Sequence, residues 1–278
     1  MELRTRTAEE LVTGSDLSEQ IKAVTKESHT RAENTELMLS FQRGQVTMQQ
    51  HKLLLCSLYE VYKVLEEEMD RNSQHPSVAP IYFPAELARL DTLKNDLEYF
   101  YGPAWRQEVV VPAATKRYCN RLRQIGKENP EYLVAHAYTR YLGDLSGGQV
   151  LGRIAQKSMG LSGGEGLSFF AFPGVSSPNR FKQLYRSRMN SVELTAAQRA
   201  GVLEEAVRAF EFNIQVFDDL HKMLQSVSGN KLQTSSTYSA PAKMLQIPGA
   251  IVQSAPLLKT LLGLFVALAT VSVGLYAL

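Results

Sequence analysis

Cysteine is nearly missing from this chain of 278 residues, with Cys56 and Cys119 the only two. They form no CxxC pair and cannot build a disulfide framework, which suits a reducing compartment. Cys56 lies in the apolar run LLLCSL, where inert packing is its expected role. Charge of one sign is also scarce. Lys and Arg number 30 against 28 Asp and Glu, and no basic run or aromatic-basic interleaving would track a phosphate backbone, so nucleic acid is excluded as a partner. The opening stretch MELRTRTAEELVTGSD lacks the apolar core of a signal peptide, so the main body is expected to stay in the cytosol.

Helical periodicity is abundant. From about Asp16 to Leu224 apolar residues recur every three to four positions, and few runs alternate with period two, so an all-α domain is expected over 16–225 after a disordered 1–15. Asp16 followed by Glu19 reads as a capping box opening a first helix that Gly44 closes after Phe41. Pro76, Pro80 and Pro84 mark a break. Further helices are expected near 86–101, 112–126, 130–159, 181–192 and 195–225, with 160–180 a Gly, Ser and Pro rich connection. Residues 226–256 lose periodicity and read as a flexible linker. After Lys259 no charge occurs, and TLLGLFVALATVSVGLYAL would make a helix of roughly 28 Å, near the hydrocarbon thickness of a bilayer. A C-terminal transmembrane anchor over 257–278 is therefore expected, inserted after synthesis.

Three stretches can carry chemistry. At helical spacing Lys22, Lys26, His29 and Glu33 share one face, which offers cations, an imidazole and a carboxylate. His29 could ligate a metal while Glu33 accepts the other ring N–H, although a solvated face that happens to hold a histidine has the same pattern. The stretch 130–159 carries an apolar stripe interrupted by Gly143, Gly147, Gly148 and Gly152. Each interior glycine concedes roughly 1 kcal/mol of helix propensity. Close packing against another helix or close approach to a flat ligand would each compensate, and spacing leaves both open. LSGGQ at 145–149 also matches the signature of ATP-binding-cassette ATPases, but the GxxxxGK[ST] loop that reading requires does not occur. In FKQLYRSRMN (181–190) Lys182 and Arg186 lie one turn apart, and Asn213 sets an amide within the stripe of Ala206, Phe210 and Phe217.

TKESHTRAEN (25–34), AHAYTRYLGDLSGGQVL (135–151), GEGLSFFAFP (164–173) and FKQLYRSRMN (181–190) resemble, in that order and spacing, the heme oxygenase family. The resemblance covers roughly 16–224, and YLGDLSGGQ is its most specific motif. Neither cysteine precedes a proline, unlike the Cys-Pro motifs of the constitutive type, which places the likeness nearer the inducible type. It implies a single helical domain with heme b, at once substrate and cofactor, between a proximal helix and a glycine-kinked distal helix. His29 would ligate the iron with Glu33 in support, and His136 is the rival histidine. Gly143 and Gly147 would meet the heme. Asp144 would hold a distal water network with Arg140, Tyr62, Tyr118 and Asn213. Lys22, Tyr138, Lys182 and Arg186 would bind the propionates. The implied reaction is cleavage at the α-meso carbon to biliverdin, carbon monoxide and ferrous iron, using O2 and electrons from NADPH through cytochrome P-450 reductase. The implied setting is the endoplasmic reticulum membrane, with biliverdin reductase as a second partner.

Two other classes stay open on sequence: a heme carrier or sensor without turnover, and a tail-anchored adaptor whose glycines serve helix contact. The adaptor would bind no heme and leaves the basic pairs unexplained.

Overall fold

The computed structural model describes residues 16–234, with side chains described to residue 226. Every regular element among these residues is helical. In chain order the α-helices are α1 (Leu17–Val24), α2 (Lys26–Glu33), α3 (Glu36–Gln42), α4 (Met48–Arg71), α5 (Pro84–Leu87), α6 (Leu90–Tyr101), α7 (Ala113–Glu128), α8 (Leu133–Ala137), α9 (Gly143–Met159), α10 (Pro178–Asn190) and α11 (Ala196–Thr234). The first compact unit ends at Ser228.

Helix α4 is the central post. The Thr47 hydroxyl accepts the Gln50 N–H at 3.2 Å, and the Gln50 side chain accepts the Thr47 N–H at 2.7 Å, so the helix opens with a closed capping box. Its buried Leu54, Leu58, Val61, Leu65 and Met69 follow helical spacing, and α6 and α7 pack against it. Each large aliphatic side chain buried in this way contributes roughly 1.5–3 kcal/mol before chain entropy is counted. Cys56 and Cys119 are free and buried, and burial pushes their thiols up to about 11 and about 12, as inert packing requires.

The opening differs from expectation. Asp16 makes no side-chain cap, and Glu19 turns to Lys22 at 3.8 Å instead. The single first helix is three. The Thr25 hydroxyl bonds the Ile21 carbonyl at 2.7 Å, and Asn34 and Thr35 bond the carbonyls of Thr30 and Ala32, so short polar side chains compete with the ladder at both joints. Gly44, at φ 64°, does end the third piece: the Gln45 N–H reaches the Ser40 carbonyl at 2.8 Å.

Two other boundaries move. The helix expected at 86–101 breaks at Ala88 and Arg89, where the Arg89 N–H turns out of the ladder to the Glu66 carboxylate at 2.5 Å. Helix α11 continues past Ser226, since propagation needs no new nucleus. No helix among the described residues is long and apolar enough to cross a membrane, and the apolar segment 260–278 lies outside them.

Candidate functional site

His29 lies mid-way along α2 and is half exposed. Its Nδ1 stands 3.5 Å from the Glu33 carboxylate, one turn on. The ring meets the edge of Phe210 on α11 at a centroid separation of 5.5 Å. Beside it, Ser28 and Arg31 both reach Glu211, the guanidinium at 2.5 Å, so α2 is fastened to one stretch of α11. A carboxylate on the Nδ1 side favours the tautomer with the proton there, which would leave the Nε2 lone pair to a metal.

The second half of the site is the helix expected over 130–159. It is continuous in direction but not in kind. A 3₁₀ turn (Pro130–Tyr132) leads into α8, then a π-helical turn spans Tyr138–Leu142, and α9 follows from Gly143. A π turn widens the ladder and is frequent at functional sites. The break therefore precedes the glycines, and Gly143 itself has ordinary helical angles, φ −61° and ψ −52°. Gly160, at φ 65°, closes α9.

The four glycines divide into two pairs. A Cβ built at Gly148 would lie 3.6 Å from the Phe170 ring, and one at Gly152 only 3.0 Å from the Phe170 Cβ and Cγ. At Gly143 and Gly147 an added Cβ would meet nothing within 4 Å among the described residues beyond the helix's own backbone. Packing inside the chain explains the second pair. It does not explain the first.

One turn along from Arg140 lies Asp144, and the Arg140 Nη2 donates to both of its carboxylate oxygens, at 2.7 and 3.0 Å. Arg140 also donates to the Asn213 carbonyl oxygen at 2.8 Å, and the Asn213 amide returns to the Ala209 carbonyl at 2.7 Å. The Tyr62 hydroxyl, brought in by α4, donates to the same Asp144 oxygen. Burial opposes the Arg140 charge, but the Asp144 carboxylate and the Tyr62 and Tyr118 oxygens more than offset it, so the guanidinium pKa is raised. Burial and then the Asp144 charge hold Tyr62 well above the ordinary phenol range, which keeps it a donor. Arg140 Nε is buried without a partner.

His136 is disposed of. It is fully buried, its Nδ1 lies 3.2 Å from the Tyr118 hydroxyl, and its Nε2 lies 2.9 Å from Glu205, which Arg121 holds from the other side at 2.6 Å. Both ring nitrogens are engaged, so neither is available to a metal. Burial would raise Glu205, but hydrogen bonds from His136 and Arg121 bring it down to about 2. Tyr118 in turn stacks on Phe212 at 5.1 Å and lies within electrostatic reach of Arg140, which brings this buried cluster beside the Arg140 network.

The expected cations are spread out. Arg186 Nε lies 3.4 Å from the Tyr138 hydroxyl. Lys182, half buried one turn earlier on α10, is shifted below the ordinary lysine range by burial and then by Arg186. Lys22 is exposed beside Glu19. Sequence reading missed the groups that fix the connection after α9: Asp96 accepts the N–H groups of Ser168 and Phe169, each at 2.8 Å, and Arg89 reaches the carbonyls of Phe169 and Ala171. A buried charge at each position is legible only once burial is known.

Asn213 and Phe210 sit on one stretch of α11, and they touch the distal network and the histidine ring respectively. A fold that presents one metal-ready imidazole and a bare, polar-backed helix from a common support defines the class of helical proteins that hold a flat metal-centred ligand. The chain belongs to the heme oxygenase family, whose model matches residues 15–219. It is 70% identical over 278 residues to a heme oxygenase of Takifugu rubripes, with all of both chains covered. Human heme oxygenase 1 is 50% identical over 279 residues, covering 95% of this chain and 96% of that one. Among solved structures, a heme complex of heme oxygenase-1 from the cyanobacterium Synechocystis superposes with a TM-score of 0.73 at 42% identity, covering 80% of this chain and 100% of that one.

Proposed function

We propose that this chain is a heme oxygenase that takes heme b as substrate and opens the macrocycle at the α-meso carbon to biliverdin, carbon monoxide and ferrous iron, consuming O2 and reducing equivalents. The observation that carries it is the unexplained pair, Gly143 and Gly147. Two helix-weakening residues, roughly 1 kcal/mol each, bare a helix face on which none of the described residues closes, as a cradle for a flat ring requires. The donor set fits too: one imidazole with a free Nε2 could ligate an iron whose other ligands come with the macrocycle.

Heme, when bound, supplies the iron and the oxygen chemistry. This chain's residues do the rest. His29 would hold the iron, and Glu33, on the Nδ1 side of the ring, would keep the imidazole in the required tautomer. Asp144, fixed by Arg140 and Tyr62, orders water and passes protons toward the ring's distal face, while Asn213 and Tyr118 hold Arg140 in place. The buried, partnerless Arg140 Nε offers such a water a donor. Lys182 and Arg186 repel one another, so a carboxylate placed between them relieves both, which fits a propionate that fixes the rotation of the ring. Tyr138, whose hydroxyl Arg186 meets, would join them, and Lys22 is assigned to the propionates on the family resemblance.

A redox partner goes with the family. We assign NADPH-dependent cytochrome P-450 reductase to this role, with biliverdin reductase receiving the product. The uncharged segment 260–278 supports a tail anchor in the endoplasmic reticulum membrane, with the domain 16–225 facing the cytosol and 226–256 as its tether. The test is to supply the purified full-length protein with heme, O2, NADPH and the reductase. Decay of the Soret band with biliverdin formation supports the proposal. Stable heme uptake without turnover would favour a carrier instead. Alkaline extraction of membranes from expressing cells tests the anchor, and release into the soluble fraction would refute it.

A further inference from the structure

The contact that explains the second pair of glycines has a direction. Gly152 follows Gly143 by nine positions, about half a turn around the helix at roughly 100° per residue. Gly148 lies about 100° from Gly147, so taken as pairs the two faces are about 140° apart, and the Phe170 ring bears on α9 from the rear and one flank of the bare face. The fit there is tight, since a methyl group at Gly152 would lie 3.0 Å from the Phe170 Cβ and Cγ, and one side or the other would have to give by a few tenths of an ångström.

Phe170 is itself well braced. It belongs to a short 3₁₀ turn (Ser168–Phe170), and the buried His51 ring of α4 stacks on it at 5.9 Å and 19°. His51 Nε2 reaches the Gly166 carbonyl at 3.1 Å, and Asp96 and Arg89 fix the backbone on either side. The buttress is thus tied to α4 and α6, and α9 meets the Phe170 ring at Gly148 and Gly152.

We propose that Phe170 is a positioning residue: by bearing on Gly148 and Gly152 from behind, it sets how closely the Gly143 and Gly147 face of α9 approaches the heme. The inference rests on the proposed function, because it presumes heme on that face. Its signature is a pair of opposite responses from one contact. Gly152→Ala lengthens the spacer and drives α9 toward the ring, whereas Phe170→Ala or Phe170→Leu shortens it and lets α9 retreat.

The test uses the full-length protein loaded with ferric heme and reads azide binding, a distal ligand that senses the clearance without turnover. Gly152→Ala is expected to weaken azide binding at least roughly fivefold, the lower end of what overpacking imposes. Phe170→Leu is expected to strengthen it and to broaden the mixture of biliverdin isomers, and Gly152→Ala with Phe170→Leu should return both toward the parent. The better helix propensity of alanine favours folding of the first variant, and Phe170→Leu keeps the contact apolar, so both remain measurable. Shifts in the same direction, or azide affinities within twofold of the parent, overturn the inference while leaving the enzyme reading intact. Failure of the parent to take up heme overturns that reading instead.

Discussion

His51 makes stability depend on pH in a way that one substitution isolates. The ring is fully buried among Phe41, Phe100 and Phe170, with Nε2 on the Gly166 carbonyl and Nδ1 without a partner. A second proton on such a ring would be a buried charge with nothing to offset it, and burial accordingly lowers the pKa from 6.5 to about 4. Its folded pKa is depressed, so the unfolded chain binds the proton first. The contribution is complete above about 6.5, declines as the pH falls, and levels off below about 4. Linkage over that gap is worth roughly 2 kcal/mol at pH 5 and about 3 kcal/mol at pH 4. His51→Phe keeps an aromatic ring of similar size and removes the titration. It also strips the Gly166 carbonyl of its donor, which costs about 1 kcal/mol at neutral pH. Urea unfolding of both proteins at pH 7 and pH 5 should show the parent losing about 2 kcal/mol more than the variant between the two conditions. Equal losses would mean that the ring titrates alike in the folded and unfolded chain, and the buried, one-sided environment described for it would be wrong.

Asp144→Ala should leave heme uptake intact and cut biliverdin formation by about 10²-fold or more, within the range for a lost proton-transfer group; unchanged product yield in single-turnover assays would refute its role. His29→Ala should abolish the axial imidazole signature in the heme spectrum and regain it with added imidazole, and its survival in the variant would unseat His29. Glu205→Ala strands Arg121 and His136 beside a buried gap, at a cost of about 3 kcal/mol, which lowers the melting temperature by about 6–12 °C. A loss below about 1 kcal/mol would show that solvent reaches the cluster. The Glu205 contribution is held above about 4.5 and lost as the pH falls through about 2, so the pH 5 comparison for His51 is free of it.

The all-helical class was legible because apolar spacing is set by burial, and the sequence carries that directly. Joints were not. Thr25, Asn34 and Thr35 break the first helix through side-chain bonds to nearby carbonyls, which depend on rotamers that spacing does not encode. The site was legible in parts. His29 and Glu33 do pair, and Arg140, Asp144, Tyr62 and Asn213 do join in one network, with Tyr118 hydrogen-bonded to His136 beside it. His136 could be set aside only when both its nitrogens were seen to be engaged. Packing and ligand contact were alternative accounts of the glycines, and the two pairs answer to different ones. Such a division needs a neighbour's position, which for Phe170 comes from Asp96 and Arg89, remote in sequence.

The π turn at Tyr138–Leu142 ties the aim of the whole distal segment to a residue count. A wide turn of this kind holds one residue more than the α-helical path would, and each residue wound regularly rotates the downstream chain by roughly 100°. One further residue beside Thr139, whose buried hydroxyl has no partner, would find that slack already taken up, and would swing Gly143 and Gly147 out of line while His136 stayed on its old heading. Natural variation in this segment is therefore expected to run through replacements and to avoid single-codon insertions, because an added residue here redirects an entire functional surface.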